Sequence, residues 1–331
     1  MKTPPVLGGQ SSRGHDVGVI VLSNRADETT DYLCSRMTEG GIGFTRVNTE
    51  SAASTCSIFA TPNGVELRVN EATLVASDVD AVWYRRPRPI DPVSSGDRYD
   101  RAFAAAEWTA ALEGFFAHVP SSRWINHPAT IMGASSKLEQ LTRAAQYGLR
   151  VPAWLCTMET EDASRFFHEQ GGRVVTKPLY CGYIERETPA ADTVIYTCRV
   201  RHEDLCSSGS SLGAPTLFQR EVAGGEDVRV TLVDDEAIAV RLTRDDGEVD
   251  IRRNNMAGVR YTSERVPPRV KDAIHSLVRS YGLRFAAVDM MVTGDDWQFL
   301  EINPNGQWAW LDLLGGAEIY RSFLKVFGAV K

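Results

Sequence analysis

The chain has 331 residues, 43% hydrophobic and 24% charged, with a net charge of −7. That is material for a large core and for two or three domains; the acidic balance argues against bulk nucleic-acid binding, which leaves a basic footprint. No run approaches the ~20 apolar residues of a membrane span, and the opening MKTPPVLGGQSSRGHD lacks a signal-peptide core and reads as a flexible tail over 1–15.

In chain order, VGVIVLS (17–23) is an apolar run that predicts a buried strand. DETTDYLCSRMTEGG follows as a helix, with Asp27 as N-cap and Gly40-Gly41 as its stop. IGFTRV (42–47) and DAVWYRRPRP (80–89) read as further strands, the second broken by prolines. Strand–helix–strand at this spacing predicts a small parallel α/β domain over 16–120. Phe103, Trp108, Leu112, Phe115 and Val119 at helical spacing predict the helix that closes it.

The remainder reads as α+β, in a central part (121–215) and a C-terminal part (216–331). SSKLEQLTRAAQYGLRVP (135–152) is a capped helix ending at Gly148, and RVVTKPL (173–179) is a strand. Residues 181–215, rich in Thr, Ser, Glu and Gly, predict a hairpin or loop. Strands follow at 216–222, 227–233 and 236–242, the last two joined by a tight turn at Asp234-Asp235. PPRVKDAIHSLVRSYG (267–282) has one apolar face at helical spacing. RFAAVDMMV (284–292) and WQFLEIN (297–303) are strands joined near Gly294. Six cysteines, at 34, 56, 156, 181, 198 and 206, show no C-x-x-C spacing and read as reduced thiols of a cytoplasmic protein; Cys181 and Cys198 flank the possible hairpin.

The chemistry concentrates near the C-terminus. Asp289 lies mid-strand among apolar residues, and Glu301 and Asn303 lie two apart in the next strand, so they share a face. If the two strands pair as a hairpin, Asp289 meets Glu301 or Asn303. Buried carboxylates need a cation, and hard oxygen donors at this density suit magnesium, with phosphates supplying further oxygens; the alternative is a pair of salt-bridged core acids. Lys137, at a helix start, and Lys177, inside a strand, suit phosphate oxygens or are surface lysines. Asp227 and Arg229 share a strand face, as do Arg252 and Asn254 in DIRRNN; these arginines can steady charge on phosphoryl and acyl oxygens, or form a solvated Asp–Arg pair. No P-loop string, G-x-S-x-G or H-E-x-x-H occurs. Trp308 and Trp310 alternate with Ala309 and are expected on one face, as core or as a wall for substrate.

From about residue 121 to the end, the succession SSKLEQLTRAAQYGLRVP, VVTKP, FQREVAGGEDVRV, AAVDMMV and FLEINPNGQ resembles the ATP-grasp fold. VWYRRPRP after a small α/β domain, together with EINPNGQWAWL, resembles the graspetide synthetases, microviridin-type ligases that macrocyclise ribosomally made precursor peptides. The resemblance implies an ATP-grasp body behind an N-terminal pre-ATP-grasp domain, with ATP and Mg2+ as cofactors. It implies Lys137 and Lys177 on the phosphates, Gln219, Glu221 and Val222 as the adenine hinge, and Asp227 on the ribose. It implies Asp289, Glu301 and Asn303 on magnesium, and Arg229 and Arg252 on an acyl phosphate. The arginine within FQREV departs from many relatives and leaves the individual hinge roles open.

The implied reaction activates Asp or Glu side chains of a precursor peptide as acyl phosphates and closes ester or amide rings with Thr, Ser or Lys. Partners would be the leader and core of that peptide and a second copy in a homodimer, with no nucleic acid and no membrane. Segment 180–203 falls where the family grips the leader, and Glu185, Glu187 and Asp192 could meet a basic leader residue. Arg85, Arg86 and Arg88 either bind an acidic segment or tie the first domain to the ATP-binding body. Two other readings stand beside this one: a ligase adding a free amino acid to a peptide or protein, slightly resembled by DIRRNNMAG, and a nucleotide- or peptide-sensing relic.

Overall fold

The computed structural model describes residues 18–93, 96–180, 182–184, 193–207 and 209–328. The expected tail, Cys181, Glu185, Glu187 and Asp192 lie outside the described residues. The described chain forms two compact units, one of residues up to 123 with 324–328 and one of residues 124–323.

In the first unit, strand β1 (Val19–Ser23) is buried throughout. Helix α1 (Glu28–Glu39) begins where the Asp27 carboxylate accepts the Thr30 N–H at 2.8 Å, a side-chain N-cap. It stops at Gly40-Gly41, where Gly41 takes a φ of 69° that suits glycine. Strand β2 (Phe44–Asn48) pairs parallel with β1. A single turn α2 (Ala52–Thr55) leads into a meander of β3 (Cys56–Thr61), β4 (Gly64–Val69) and β5 (Ala72–Val75). This meander was not anticipated, although Asn63-Gly64 carries a hairpin-turn signal. Strand β6 (Ala81–Tyr84) lies parallel on the other side of β1 and ends before the prolines.

Helix α3 (Arg98–Phe116) opens with a capping box between Asp97 and Asp100. Its expected apolar face is only partly used: Leu112, Phe115 and, just past the helix, Val119 are buried, while Phe103 is 68% exposed. Arg85 is buried and pairs at 3.3 Å with Asp27, so it ties the end of β6 to the start of α1 within this unit. Burial and the neighbouring Arg86 pull its guanidinium down to about 10 against the pull of Asp27.

The second unit begins with β7 (Trp124–Ile125), α4 (Pro128–Gly133) and α5 (Lys137–Gln146). Strand β8 (Trp154–Glu159), helix α6 (Thr160–Glu169), strand β9 (Val174–Lys177), the ribbon β10 (Tyr183–Ile184) and β11 (Thr193–Val194), strand β12 (Cys198–Arg199), helix α7 (His202–Ser207) and strand β13 (Ser211–Arg220) follow. Four of these strands form an antiparallel sheet in the order β12-β9-β13-β8. One face of it is covered by Ala163 and Phe166 of α6 and Leu205 of α7, packed with Val174 and Phe218.

The larger sheet is built from β14 (Glu226–Val233), β15 (Glu236–Thr243), β16 (Arg260–Glu264), β17 (Phe285–Thr293) and β18 (Asp296–Asn303), with α8 (Pro268–Ser280) between β16 and β17. Its order is β16-β15-β14-β17-β18, all antiparallel. The expected turns are present, with Asp234 at φ 49° and Gly294 at φ 57°. Val228, Val230, Leu232, Ala286, Val288, Met290, Phe299 and Ile302 make one apolar face, which packs on Leu141 and Ala144 of α5 and Ile274, Leu277 and Val278 of α8. The helices thus occupy one side, and the alternate residues of β14, β17 and β18 face the other. Helices α9 (Ala309–Gly315) and α10 (Tyr320–Gly328) end the described chain.

Asn126 is a buried anchor in this unit. Its amide donates to the carbonyls of Phe285 (2.8 Å) and Pro304 (2.7 Å) and accepts the N–H groups of Arg284 (2.8 Å) and Phe285 (3.0 Å). Asn126→Ala leaves these main-chain groups without their partner. It is expected to lower unfolding free energy by about 3 kcal/mol or more, read as a drop in denaturant midpoint with an unchanged slope.

Candidate active site

Pairing across the larger sheet assembles one polar row. Arg229 on β14 stands opposite Asp289 on β17, and Asp289 stands opposite Glu301 on β18. Between Asp289 and Met290 the register of β17 with β18 shifts by one residue. In the register beyond the shift, which pairs Met290 with Phe299, Asp289 would meet Leu300. The bulge moves Glu301 opposite Asp289 and puts Asn303, opposite Ala287, on the same face. The three oxygen-bearing side chains expected to converge are therefore brought together.

Their contacts are direct. The Asn303 amide nitrogen donates to Asp289 Oδ2 at 3.0 Å and to Glu301 Oε1 at 3.3 Å. Arg229 grips Asp289 with both arms, Nε to Oδ1 at 2.5 Å and Nη2 to Oδ2 at 3.2 Å. Lys137, the first residue of α5, reaches Glu301 Oε2 at 3.2 Å and donates to the Pro178 carbonyl at 2.8 Å. Lys177 ends β9, and its ammonium feels Glu301, Lys137, Asp289 and Asp227.

Burial dominates the electrostatics. It pulls the Lys177 ammonium below its ordinary range, against the attraction of Glu301. It raises Asp289, which Arg229 opposes and Glu301 reinforces. Burial also works against the Glu301 charge, yet Lys137 and Lys177 together hold that carboxyl down at about 2. Asp227, one pair along β14, is pushed up to about 7 by burial and by Asp289 and Asp250, with Arg229 and Arg252 opposing.

The smaller sheet contributes the opposite wall. Val175 pairs with Gln219 and Lys177 with Leu217, so all four share the face away from α6. Gln219 is buried, and among the described residues its amide nitrogen has no hydrogen-bond partner. The chain beyond it leaves β13: the Glu221 N–H donates to the Arg173 carbonyl at 3.0 Å, and Val222 O accepts from Gly225. Among the described residues, the Glu221 carbonyl and the Val222 N–H have no partner. The Glu221 side chain is held by Arg199, Nε to Oε1 at 2.9 Å.

Arg252 is oriented by Asp250, which is buried and accepts Arg252 Nε at 2.8 Å, Arg252 Nη2 at 2.5 Å and the Thr197 N–H at 2.8 Å. The charges of Glu301 and Asp289 act on Arg252. The expectation that Trp308 and Trp310 share a face is corrected: residues 309–315 are helical, so the alternation of a strand does not apply. Trp308 is buried and stacks on Phe323 at 4.9 Å, whereas Trp310 lies half-buried beside Arg229, 6.0 Å from guanidinium to ring.

Sequence reading missed Gln140 and Asp250. Gln140, on α5 with Lys137, accepts the Ile302 N–H at 2.8 Å and donates to the Ile302 carbonyl at 2.9 Å. It pins β18 between Glu301 and Asn303. A polar residue at a buried helical position is the one signal the sequence carried for it. Asp250 stood within the quoted DIRRNN, two residues before Arg252, and could have been paired with it.

Among the described residues, no group of three His, Cys, Asp or Glu side chains is arranged to hold a metal. The donor set here is two carboxylates and a carboxamide. Rotating the Asn303 amide by half a turn exchanges nitrogen for oxygen at the same place, which gives three oxygen donors of the kind magnesium takes alongside phosphate. The unpartnered Gln219 amide, Glu221 carbonyl and Val222 N–H offer donors and an acceptor suited to the edge of an adenine.

Asp227 has a folded-state value above its ordinary 3.8, so its protonated form favours the fold. That contribution is complete below pH 3.8 and is lost as pH rises through about 7, to an upper limit of ~4 kcal/mol. In the ligand-free protein, Asp227→Asn should therefore raise the melting temperature at pH 8 and leave it nearly unchanged at pH 4.

No protein-family model matches the chain. A curated relative, a probable alpha-L-glutamate ligase of Marinobacter nauticus, is 24% identical over 183 residues, 55% of this chain and 59% of that one, so the chain spans less than two thirds of that relative. Among solved structures, the macrocyclase MdnC of Microcystis aeruginosa, bound with precursor peptide MdnA, superposes with a TM-score of 0.79 at 23% identity, covering 95% of this chain and all of that one. The ATP-grasp ligase PsnB, complexed with minimal precursor, Mg and ADP, gives 0.74 at 19% identity, covering 94% and 97%. The chain has the ATP-grasp fold, with a small parallel α/β unit at its N-terminal side.

Proposed function

We propose that the protein is an ATP-dependent ligase that activates Asp or Glu side chains of a ribosomally made precursor peptide and closes ester or amide macrocycles with Thr, Ser or Lys side chains. The observation that carries this reading is the sheet face on which Asp289, Glu301 and Asn303 meet Lys137, Lys177 and Arg229. The precursor peptides bound to MdnC and PsnB support the substrate class.

In this reading Gln219, Glu221 and Val222 hold adenine, Asp227 holds the ribose, and Lys137 and Lys177 hold the phosphates. Asp289, Glu301 and Asn303 would hold Mg2+, which supplies charge neutralisation and alignment of phosphate oxygens. The γ-phosphoryl passes from ATP to a substrate carboxylate oxygen, releasing ADP and leaving an acyl phosphate. A hydroxyl or amine of the same peptide attacks the acyl carbon, gives up its proton, and phosphate leaves. Arg229 and Arg252 would steady the charge that builds on the acyl and phosphoryl oxygens. Holding both ends of one peptide makes the closure unimolecular, worth up to about 7–11 kcal/mol in favourable systems. The leader would lie along the ribbon β10–β11.

Free thiols at Cys34, Cys56, Cys156, Cys198 and Cys206 and the use of ATP suit a cytoplasmic setting. No helix of the described residues is long and apolar enough to cross a membrane. A homodimer is also proposed, since α3 leaves Tyr99 and Phe103 exposed for a second copy.

The curated relative favours one second reading, addition of free glutamate to a peptide or protein. Mass spectrometry separates the two: macrocyclisation subtracts one water per ring, and amino-acid addition adds a residue mass. With a genomically adjacent Thr-, Asp- and Glu-rich peptide, ATP and Mg2+, stepwise loss of water with stoichiometric ADP is expected. Glu301→Gln should slow ADP release by about 100-fold or more while the melting profile stays cooperative; near wild-type turnover would remove Glu301 from the chemistry.

A further inference from the structure

The polar row of the larger sheet continues into an apolar edge. Met291 pairs with Asp227, Asp227 with Leu242, and Leu242 with Tyr261 on the outermost strand β16. These four therefore lie on the face that carries Arg229, Asp289 and Glu301. Helix α9 sits against that edge: a Cβ added to Gly315 would come within 3.2 Å of Tyr261 Cβ. Trp310 spans the two ends of this surface. Its ring packs edge-on to Tyr261 at 5.9 Å, its indole N–H donates to the Gln307 carbonyl at 3.2 Å, and Arg229 Nη1 donates to the same carbonyl at 3.5 Å.

Three and four residues further along α9, on the same helical face as Trp310, stand Leu313 and Leu314. They are 66% and 63% exposed, although Ala309 and Leu311 of the same short helix are buried. The helix is firmly fixed. Gly316 ends it at φ 62°, and the Asp312 carboxylate accepts the N–H groups of Ile319 (2.7 Å) and Tyr320 (3.0 Å). A rigid, outward-facing Trp-Leu-Leu ridge thus begins at the arginine that grips Asp289.

We propose that the Trp310–Leu313–Leu314 ridge seats an apolar side chain of the peptide substrate close to the carboxylate being activated, and so selects for acidic residues with an apolar neighbour. This rests on the peptide-ligase reading. Peptide is the occupant because the ridge is continuous with the charged site: Trp310 lies 6.0 Å from the Arg229 guanidinium and shares the Gln307 carbonyl with it, so a chain whose carboxylate lies at Arg229 has the ridge beside it. Rigid aromatic and aliphatic area, fixed before binding, gives contact at little ordering cost.

The test uses the full chain with ATP and Mg2+ and two fluorescein-labelled synthetic peptides. Both are rich in Thr and Glu and identical except for Phe or Ser beside a central Glu. By fluorescence anisotropy the Phe peptide should bind the wild type roughly tenfold more tightly. Leu313→Ser/Leu314→Ser, a change at two exposed positions, should erase that preference and leave the Ser peptide's affinity as it was. Equal anisotropy for the two peptides on the wild type, whether both bind or neither does, overturns the proposal, as does a preference that survives in the double variant. A wild-type dimer that dissociates in the double variant by sedimentation velocity would assign the ridge to a second copy and overturn it too. ADP release in the same samples judges the ligase reading separately: a Phe preference without ADP leaves the ridge as a peptide-binding surface and counts against the ligase reading.

Discussion

Carboxylates withdrawn from water must be balanced, and that requirement organises the second unit. Asp227, Asp289 and Glu301 lie on one sheet face, and Lys137, Lys177, Arg229 and Arg252 come to them from α5, β9, β14 and the loop before β16. The balance is uneven in a way that suits a polyanion. Burial disfavours charge on Lys177 and on Asp227 alike, so the site gains from a ligand bringing phosphate to the lysines and a cation to the acids. An ATP–magnesium pair has those properties, which links the electrostatics to the proposed chemistry.

Keeping this face polar requires keeping the other face dry. The core formed with α5 and α8 fixes which parity of β14, β17 and β18 looks inward. A single bulge then decides which residues of β18 reach Asp289. Gln140 clamps both main-chain groups of Ile302 directly behind that bulge, and Asn126 ties Pro304 and Phe285 just beyond it. Position at the site is thus set by buried amides that bond main-chain groups of the strands carrying it. The Asp250 carboxylate likewise orients Arg252 while also holding the Thr197 N–H, so the segment between the β10–β11 ribbon and β12 and the proposed acyl-phosphate arginine share one carboxylate.

Much of this was legible beforehand because it follows from spacing. Glu301 and Asn303 two apart, an acid amid an apolar strand, and a lysine at a strand end each break the rule that interiors are apolar. The turns at Asp234-Asp235 and Gly294 were visible for the same local reasons. The partner of Asp289 was open between Glu301 and Asn303, since a bulge leaves no mark in a sequence of eight strand residues. The roles of Gln140 and Asn126 were not legible because their partners lie more than 150 residues away in the chain. Trp310 was misassigned because a strand period was continued past Pro304 into a helix, and the 56–75 meander was not anticipated because its first and last strands are largely solvated.

The central claim is that oxygen donors of β17 and β18 hold a divalent cation beside nucleotide phosphates. Electron paramagnetic resonance of Mn2+ titrated into the protein with ADP tests it without any peptide substrate. The account predicts tight, ADP-dependent Mn2+ binding in the wild type, weakened at least about tenfold when Asp289 or Asn303 is replaced by alanine. Mn2+ binding indifferent to ADP, or undiminished in both variants, would contradict it.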